Sequence, residues 1–123
     1  MCKIFVNADP LLYEHRVRSL RLHGAVTSLR LENLFWQVLE EIGRRDGMTL
    51  NQLIVRLHDE IYEMHGEVEN FASFLRVCSV RYLSLQIAGG IPRDLSMPIR
   101  SLDPDAVLAL ERGSLGKAVV AAA

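Results

Sequence analysis

The sequence predicts a mainly α-helical fold. Each chain contributes one β-strand, paired with the same strand of a second copy across a homodimer, and a third helix is added. Three observations point to it. Residues 26–31 alternate, with Thr27, Leu29 and Leu31 on one face and Val26, Ser28 and Arg30 on the other, as in a strand with one buried side. Two amphipathic helical patterns joined by a tight turn follow at once. No partner strand shows downstream, and an unpaired strand leaves its N–H and C=O groups unsatisfied. The same strand in a second copy is the simplest partner.

The elements are justified in order. Residues 1–24 form an extended lead-in. Lys3 to Val6 reads as a short extended segment, and Asn7-Ala8-Asp9-Pro10 as a turn or helix start. Leu11 to Tyr13 gives one helical turn. Arg16 to Leu22 alternates loosely and ends at Gly24.

The domain proper covers residues 25–88. Its first helix spans about Asn33 to Asp46, with Leu34, Phe35, Val38, Leu39 and Ile42 as the buried stripe. Glu40, Glu41, Arg44 and Arg45 take the opposite side, and Gly47 stops the helix. Trp36 falls off the stripe, so it packs against the lead-in or against the other subunit. The second helix opens on Thr49, with Gln52 completing a capping box and Met48 and Leu53 a hydrophobic staple. Leu50, Leu53, Ile54, Leu57, Ile61 and Met64 give its buried face. Free N–H groups at Thr49, Leu50 and Asn51, with the helix dipole, favour an anion there. Every helix has such a start, so this signal is weak alone. In the third helix Asn70 is the cap. Phe71, Phe74, Leu75, Cys78, Tyr82 and Leu85 are its stripe, and Gly89-Gly90 its end.

Residues 89–123 shift in composition. Pro92 and Pro98 mark a linker, and Asp103-Pro104 offers an N-cap and first position for a short helix closed by Gly113. The small apolar tail Ala118 to Ala123 reads as flexible, or as a docking segment for a protein partner. No internal repeat is read.

Composition bounds the function. A chain of 123 residues, 50% apolar and 24% charged, suits one soluble domain with an appendage. No apolar run approaches the ~20 residues of a membrane span. The opening MCKIFVNADP is not a signal peptide. Two cysteines, Cys2 and Cys78, make no disulfide framework and point to the cytoplasm. Cys2 reads as an exposed thiol and Cys78 as a core residue.

Net charge is −1, but it is unevenly placed. Residues 1–31 carry Lys3, Arg16, Arg18, Arg21 and Arg30 against Asp9 and Glu14, whereas residues 32–88 hold five bases and nine acids. Basic charge on the strand side suits phosphate binding, and a solvated basic face would look the same.

Catalytic signals are missing. His58 and His65 could share a helix face, yet no cluster completes a metal geometry, so no metal is expected. Glu40-Glu41 and Asp59-Glu60 are adjacent on helices and point apart. No phosphate-binding glycine loop or nucleophile elbow occurs. No catalytic residue, enzyme activity or cofactor is expected.

Residues 26–54 carry a resemblance. Thr27-Ser28, Leu31-Glu32, Phe35-Trp36 and Gly47-Met48-Thr49 stand at joint spacings. Asn70 to Val77 and Arg81-Tyr82-Leu83 follow, and Met1-Cys2, Asp9-Pro10 and Arg18-Ser19-Leu20-Arg21 precede. This set resembles the ribbon-helix-helix family of bacterial transcription regulators, and more closely a proteobacterial subfamily, over roughly residues 1–86. The resemblance implies a homodimer whose two-stranded ribbon enters the DNA major groove. Val26, Ser28 and Arg30 would then be the base contacts, although many related strands have a polar or basic residue where Val26 stands. Thr49 and Leu50 would hold phosphate through backbone N–H groups. Arg18 and Arg21 would add phosphate contacts if the lead-in lies along DNA. The sequence thus predicts a DNA-binding transcriptional regulator. The alternative is the same dimer acting as an antitoxin-like or adaptor module, binding a protein partner through residues 89–123 or through the third helix.

Overall fold

The strand predicted at residues 25–32 has its partner inside the same chain. In the computed structural model, which describes residues 2–113, β1 (His15–Leu22) and β2 (Ala25–Glu32) form an antiparallel hairpin. The pairing runs from His15 opposite Glu32 to Leu22 opposite Ala25. This corrects the expectation of one strand per chain completed only by a second copy. The lead-in is half of the ribbon.

The turn explains the pairing. His23 and Gly24 have φ of 49° and 83°. Positive φ at both central residues is the signature of a two-residue type I′ turn, whose twist matches that of the strands. Glycine adopts it freely, and histidine is among the few side chains that tolerate it. The His23 ring stacks on Tyr62 at 3.8 Å, and its Nδ1 lies 3.8 Å from an Asp59 carboxylate oxygen. The turn is thereby fastened to a helix.

The two strands are near copies. Residues 17–22 read Val-Arg-Ser-Leu-Arg-Leu and residues 26–31 read Val-Thr-Ser-Leu-Arg-Leu, differing only at Arg18 and Thr27. No repeat was expected. A six-residue unit that occurs twice makes no array of three or more repeats of the kind that builds solenoids or propellers. It becomes meaningful once the register sets Ser19 opposite Ser28.

Two short helices, α1 (Cys2–Val6) and α2 (Pro10–Tyr13), precede the ribbon. Helical residues 2–6 replace the expected extended segment. Asp9 caps α2 by accepting a hydrogen bond from the Leu11 N–H at 3.0 Å. After the ribbon come α3 (Asn33–Arg45), α4 (Leu50–His65), α5 (Phe71–Ala88), a 3-10 turn at Ile99–Ser101 and α6 (Pro104–Arg112).

The inner face of the ribbon sets the core. Leu20, Leu22, Leu29 and Leu31 are buried with Trp36 and Leu39 of α3, Leu50, Leu53 and Ile54 of α4, and Phe71 and Leu75 of α5. The stripe of α3 is rotated from the predicted one: Trp36, Leu39 and Gly43 are innermost, and Leu34 is exposed. Trp36 does pack on the lead-in, its indole N–H donating to the Arg16 carbonyl at 3.1 Å. Gly43 sits inside α3 because a Cβ there would meet the Met48 carbonyl oxygen at 3.0 Å. Met64, expected in the core, is exposed. Asn70 precedes α5 in a left-handed conformation and makes no side-chain cap.

Cys78 is half-buried, and its burial pushes the thiol up to about 11. Iodoacetamide near pH 7.5 is expected to alkylate Cys2 in the folded chain and spare Cys78, because the nucleophile is the thiolate. Cys78 should react once urea unfolds the protein. Peptide mass spectrometry checks this, and equal labelling of both in the native chain would contradict it.

Residues 89–101 are not a loose linker. Arg45, expected on the solvent side, is buried and donates to the carbonyls of Pro92 at 2.8 Å, Asp94 at 3.0 Å and Met97 at 3.0 Å. The Asp46 carboxylate accepts the Ile99 N–H at 2.7 Å. Beyond it, α6 starts with the expected Asp103 cap and is held to α5 by a two-pronged Arg81–Glu111 pair at 2.6 and 2.8 Å. The predicted flexible tail, residues 118–123, lies outside the described residues.

Candidate nucleic-acid interface

Alternation in a hairpin sends one set of side chains outward from both strands together. On β2 the outward set is Val26, Ser28 and Arg30, as the period-two reading placed them, and all are exposed. On β1 it is His15, Val17, Ser19 and Arg21, also exposed. The register places Val17 opposite Arg30, Ser19 opposite Ser28, and Arg21 opposite Val26. The two serine hydroxyls meet at 3.3 Å in the middle of this face. The Arg30 guanidinium lies 3.2 Å from His15 Nδ1, and Arg21 reaches the Gly24 carbonyl at 3.4 Å.

The face is basic. Its one carboxylate, Glu32, is taken by Arg76 of α5, with contacts of 2.8, 3.2 and 3.3 Å. That guanidinium holds the Glu32 carboxyl below its ordinary value, so Glu32 stays ionised and its charge is matched by Arg76. Arg21 and Arg30 are left as the guanidinium cations of the outward face.

Arg18 belongs to a different surface. It points to the inner side of β1, lies 5.7 Å from the Trp36 ring centroid, and donates to Asn51 Oδ1 at 2.9 Å. Its stem covers the indole while its charge emerges at the start of α4. There Arg18, Glu40, Arg44, Met48, Thr49, Leu50 and Asn51 line a depression of about 460 Å³. The structure therefore joins Arg18 to Thr49 and Leu50, and places Arg21 with the outward residues Val26, Ser28 and Arg30 instead.

The start of α4 has the predicted capping box. The Thr49 N–H donates to Gln52 Oε1 at 2.9 Å, and the Gln52 N–H to Thr49 Oγ1 at 3.2 Å. This removes Thr49 from the free N–H groups counted from sequence. Leu50 and Asn51, at the first two helical positions, keep N–H groups with no intrahelical acceptor. Those amides, the helix dipole and the guanidinium of Arg18 converge where an anion would sit, with Glu40 opposing them.

Sequence reasoning missed His15, Val17, Ser19 and Arg21 as members of the outward face. The signal available was the near identity of residues 17–22 and 26–31. Among the described residues no group of His, Cys, Asp and Glu is placed to hold a metal ion. Among the described residues no helix is long and apolar enough to cross a membrane.

Comparison with known proteins agrees with this geometry. A solved structure of an uncharacterized protein from Bordetella pertussis Tohama I is 59% identical, with a TM-score of 0.86 over 88% of this chain and 86% of that one. No curated protein matches. A family model described as ribbon-helix-helix domain matches residues 15–83, from the start of β1 into α5. With an exposed ribbon, two following helices and a capped start to the second, the chain belongs to the ribbon-helix-helix domain family.

Proposed function

We propose that the protein binds DNA and regulates transcription, laying the outward face of the β1–β2 ribbon in the major groove. The observation that supports this best is the face itself: fully exposed, basic, and rising from a core whose α4 start presents Leu50 and Asn51 amides beside Arg18. A major groove about 12 Å wide admits a two-stranded ribbon. In this reading Arg30 donates two bonds to a guanine, Ser28 makes a less selective contact, and Val26 touches a thymine methyl. Leu50, Asn51 and Arg18 hold phosphates, which fix register without reading sequence. The protein would work in the bacterial cytoplasm, with DNA as its partner.

The test is selection from a randomised duplex pool across a salt series. Selective binding that weakens steeply with salt is expected, because phosphate contacts release counterions. Arg30→Ala should cost about 1–3 kcal/mol and relax one position of the selected site. A folded Arg30→Ala protein that binds undiminished removes Arg30 from the readout.

A second reading, as a protein-interaction module, has one observation in its favour. Helix α5 buries Phe71, Leu75, Tyr82 and Leu85 and also exposes Val77, Val80, Leu83 and Ile87, so it is apolar on two sides. A helix apolar all round normally has neighbours all round. Absence of DNA binding at low salt, with a stoichiometric protein partner or a second copy lost on Val80→Glu, would favour this module.

A further inference from the structure

We infer that His15 is a positioning residue for Arg30. Its neutral imidazole holds the guanidinium on the outward face of the ribbon, and protonation of the ring releases it, so base discrimination through Arg30 is lost as pH falls. This rests on the DNA-binding reading above and names a regulation of that same face.

The contact fixes the chemistry of His15. Arg30 Nη2 lies 3.2 Å from His15 Nδ1. A guanidinium has five N–H donors and no acceptor, and it cannot be deprotonated in a protein. The bond therefore runs from Arg30 to His15, and Nδ1 has to be the ring nitrogen without a proton. His15 is then neutral, with its proton on Nε2. Register brings the two within reach. His15 stands opposite Glu32 and Val17 opposite Arg30, so His15 and Arg30 are diagonal neighbours across the strands. Both side chains are exposed.

The bond leaves Arg30 able to read a base. One Nη2 hydrogen lies on the edge shared with Nη1 and the other on the edge shared with Nε. Whichever one His15 takes, the other edge keeps both its N–H groups, and one edge suffices for guanine O6 and N7. What His15 removes is freedom. An exposed arginine samples many rotamers, and immobilising it at an interface opposes binding. A guanidinium already held opposes it less. Arg21, on the same face, reaches the main-chain carbonyl of Gly24 at 3.4 Å instead, and a carbonyl does not titrate.

Protonation undoes the contact. With a proton on Nδ1 the ring has no lone pair to offer, and imidazolium and guanidinium repel. Histidine is the side chain whose charge ordinarily changes between pH 5 and 8. The charged groups around the pair are Glu32 of β2, opposite His15, Glu14, which precedes it, and Arg76 of α5. Arg76 grips the Glu32 carboxylate at 2.8 Å and donates to the Arg30 carbonyl at 3.3 Å. The two glutamates favour the imidazolium, and Arg30 and Arg76 oppose it. Above the transition His15 is neutral and Arg30 is held. Below it the ring is charged and Arg30 swings free. The added positive charge attracts phosphate, so non-specific affinity holds or rises while discrimination falls.

The experiment uses the full chain and its His15→Gln, His15→Ala and Arg30→Ala variants, with urea midpoints at each pH to check that they stay folded. Nitrogen-15 NMR of the imidazoles at pH 8 needs no DNA, and it should place the His15 proton on Nε2; a proton on Nδ1 overturns the inference. Selection on a randomised duplex pool follows at pH 8 and pH 5.5. The base pair that Arg30→Ala relaxes is the one to watch. There, wild-type discrimination should fall about 5-fold or more between the two pH values, the lower end of what one good bidentate contact supplies. His15→Gln, whose amide oxygen accepts the same bond without titrating, should discriminate at both. His15→Ala should discriminate poorly at both, and base pairs insensitive to Arg30→Ala should not respond. Equal pH profiles for wild type and His15→Gln, full discrimination by His15→Ala at pH 8, or no effect of Arg30→Ala overturns the inference and leaves the DNA-binding reading standing. No DNA binding at any salt or pH overturns both.

Discussion

Trp36→Ala is expected to lower stability by about 3–5 kcal/mol, the range for removing a buried aromatic side chain. Trp36 has 0% exposure and belongs to the cluster that joins both strands to α3, α4 and α5. It also supplies a directional tie, since its indole N–H holds the Arg16 carbonyl of β1. The indole packs under Arg18 as well, so its loss would free the guanidinium that marks the start of α4. Against a typical total of 5–15 kcal/mol, the variant should retain only part of its native population margin. Trp36→Phe separates the two roles. It keeps most of the ring volume, loses the hydrogen bond, and should recover more than half of the deficit. Urea midpoints, with slopes unchanged, are the measurement. A loss under about 1 kcal/mol for the alanine variant would mean that β1 is held by something other than Trp36.

Arg45→Ala is expected to cost about 2–4 kcal/mol. The guanidinium is 5% exposed and donates to three main-chain carbonyls and to the Tyr82 hydroxyl, at 2.8 to 3.3 Å. The Tyr82 hydroxyl in turn donates to a Glu41 carboxylate oxygen at 2.7 Å, which brings a counter-charge close. Bonds from a charged donor stabilise more than neutral ones, and their loss leaves partly buried acceptors without partners. The figure is below the sum of four such bonds, because water reaches the exposed carbonyls of residues 92–97 once they detach. Arg45→Lys should recover less than half, since one ammonium cannot span the fork of donors. Thermal unfolding reads the stability, and limited proteolysis between residues 91 and 102 reads the detachment. A variant cut no faster there than wild type would contradict the role given to Arg45.

Helix boundaries were legible because local chemistry writes them. The Thr49–Gln52 box, Asp103-Pro104 and the glycines at 47 and 89 each act within a few residues of themselves. The outward set of β2 was legible for the same reason, since alternation needs no knowledge of the partner. The partner itself was hidden by two cations. Arg16 and Arg18 occupy inward positions of β1, where an apolar residue would have declared the strand. The turn was hidden by His23, which stands where asparagine or aspartate is the usual signal. Arg45 was misplaced because charge predicts exposure, and only the folded course of residues 92–97 supplies the carbonyls that let it be buried. That segment looked like a linker because its order comes from side chains bonded to main chain, which leaves no periodicity to read. At the candidate interface, the place of Arg21 on the outward face was hidden because its strand, and so its direction, was not recognised.

A ribbon closed by His23 and Gly24 also changes how its outward face comes into being. A ribbon made from two chains forms by collision and dissolves on dilution, so its amount follows protein concentration. Here the strands are joined by two residues, and hairpins of this kind close in roughly 1–10 μs. An isolated two-stranded hairpin is only marginally stable in water, so the helices packed on its inner face hold it closed. Its formation is first order, so a chain present in a handful of copies assembles it as completely as one present in thousands.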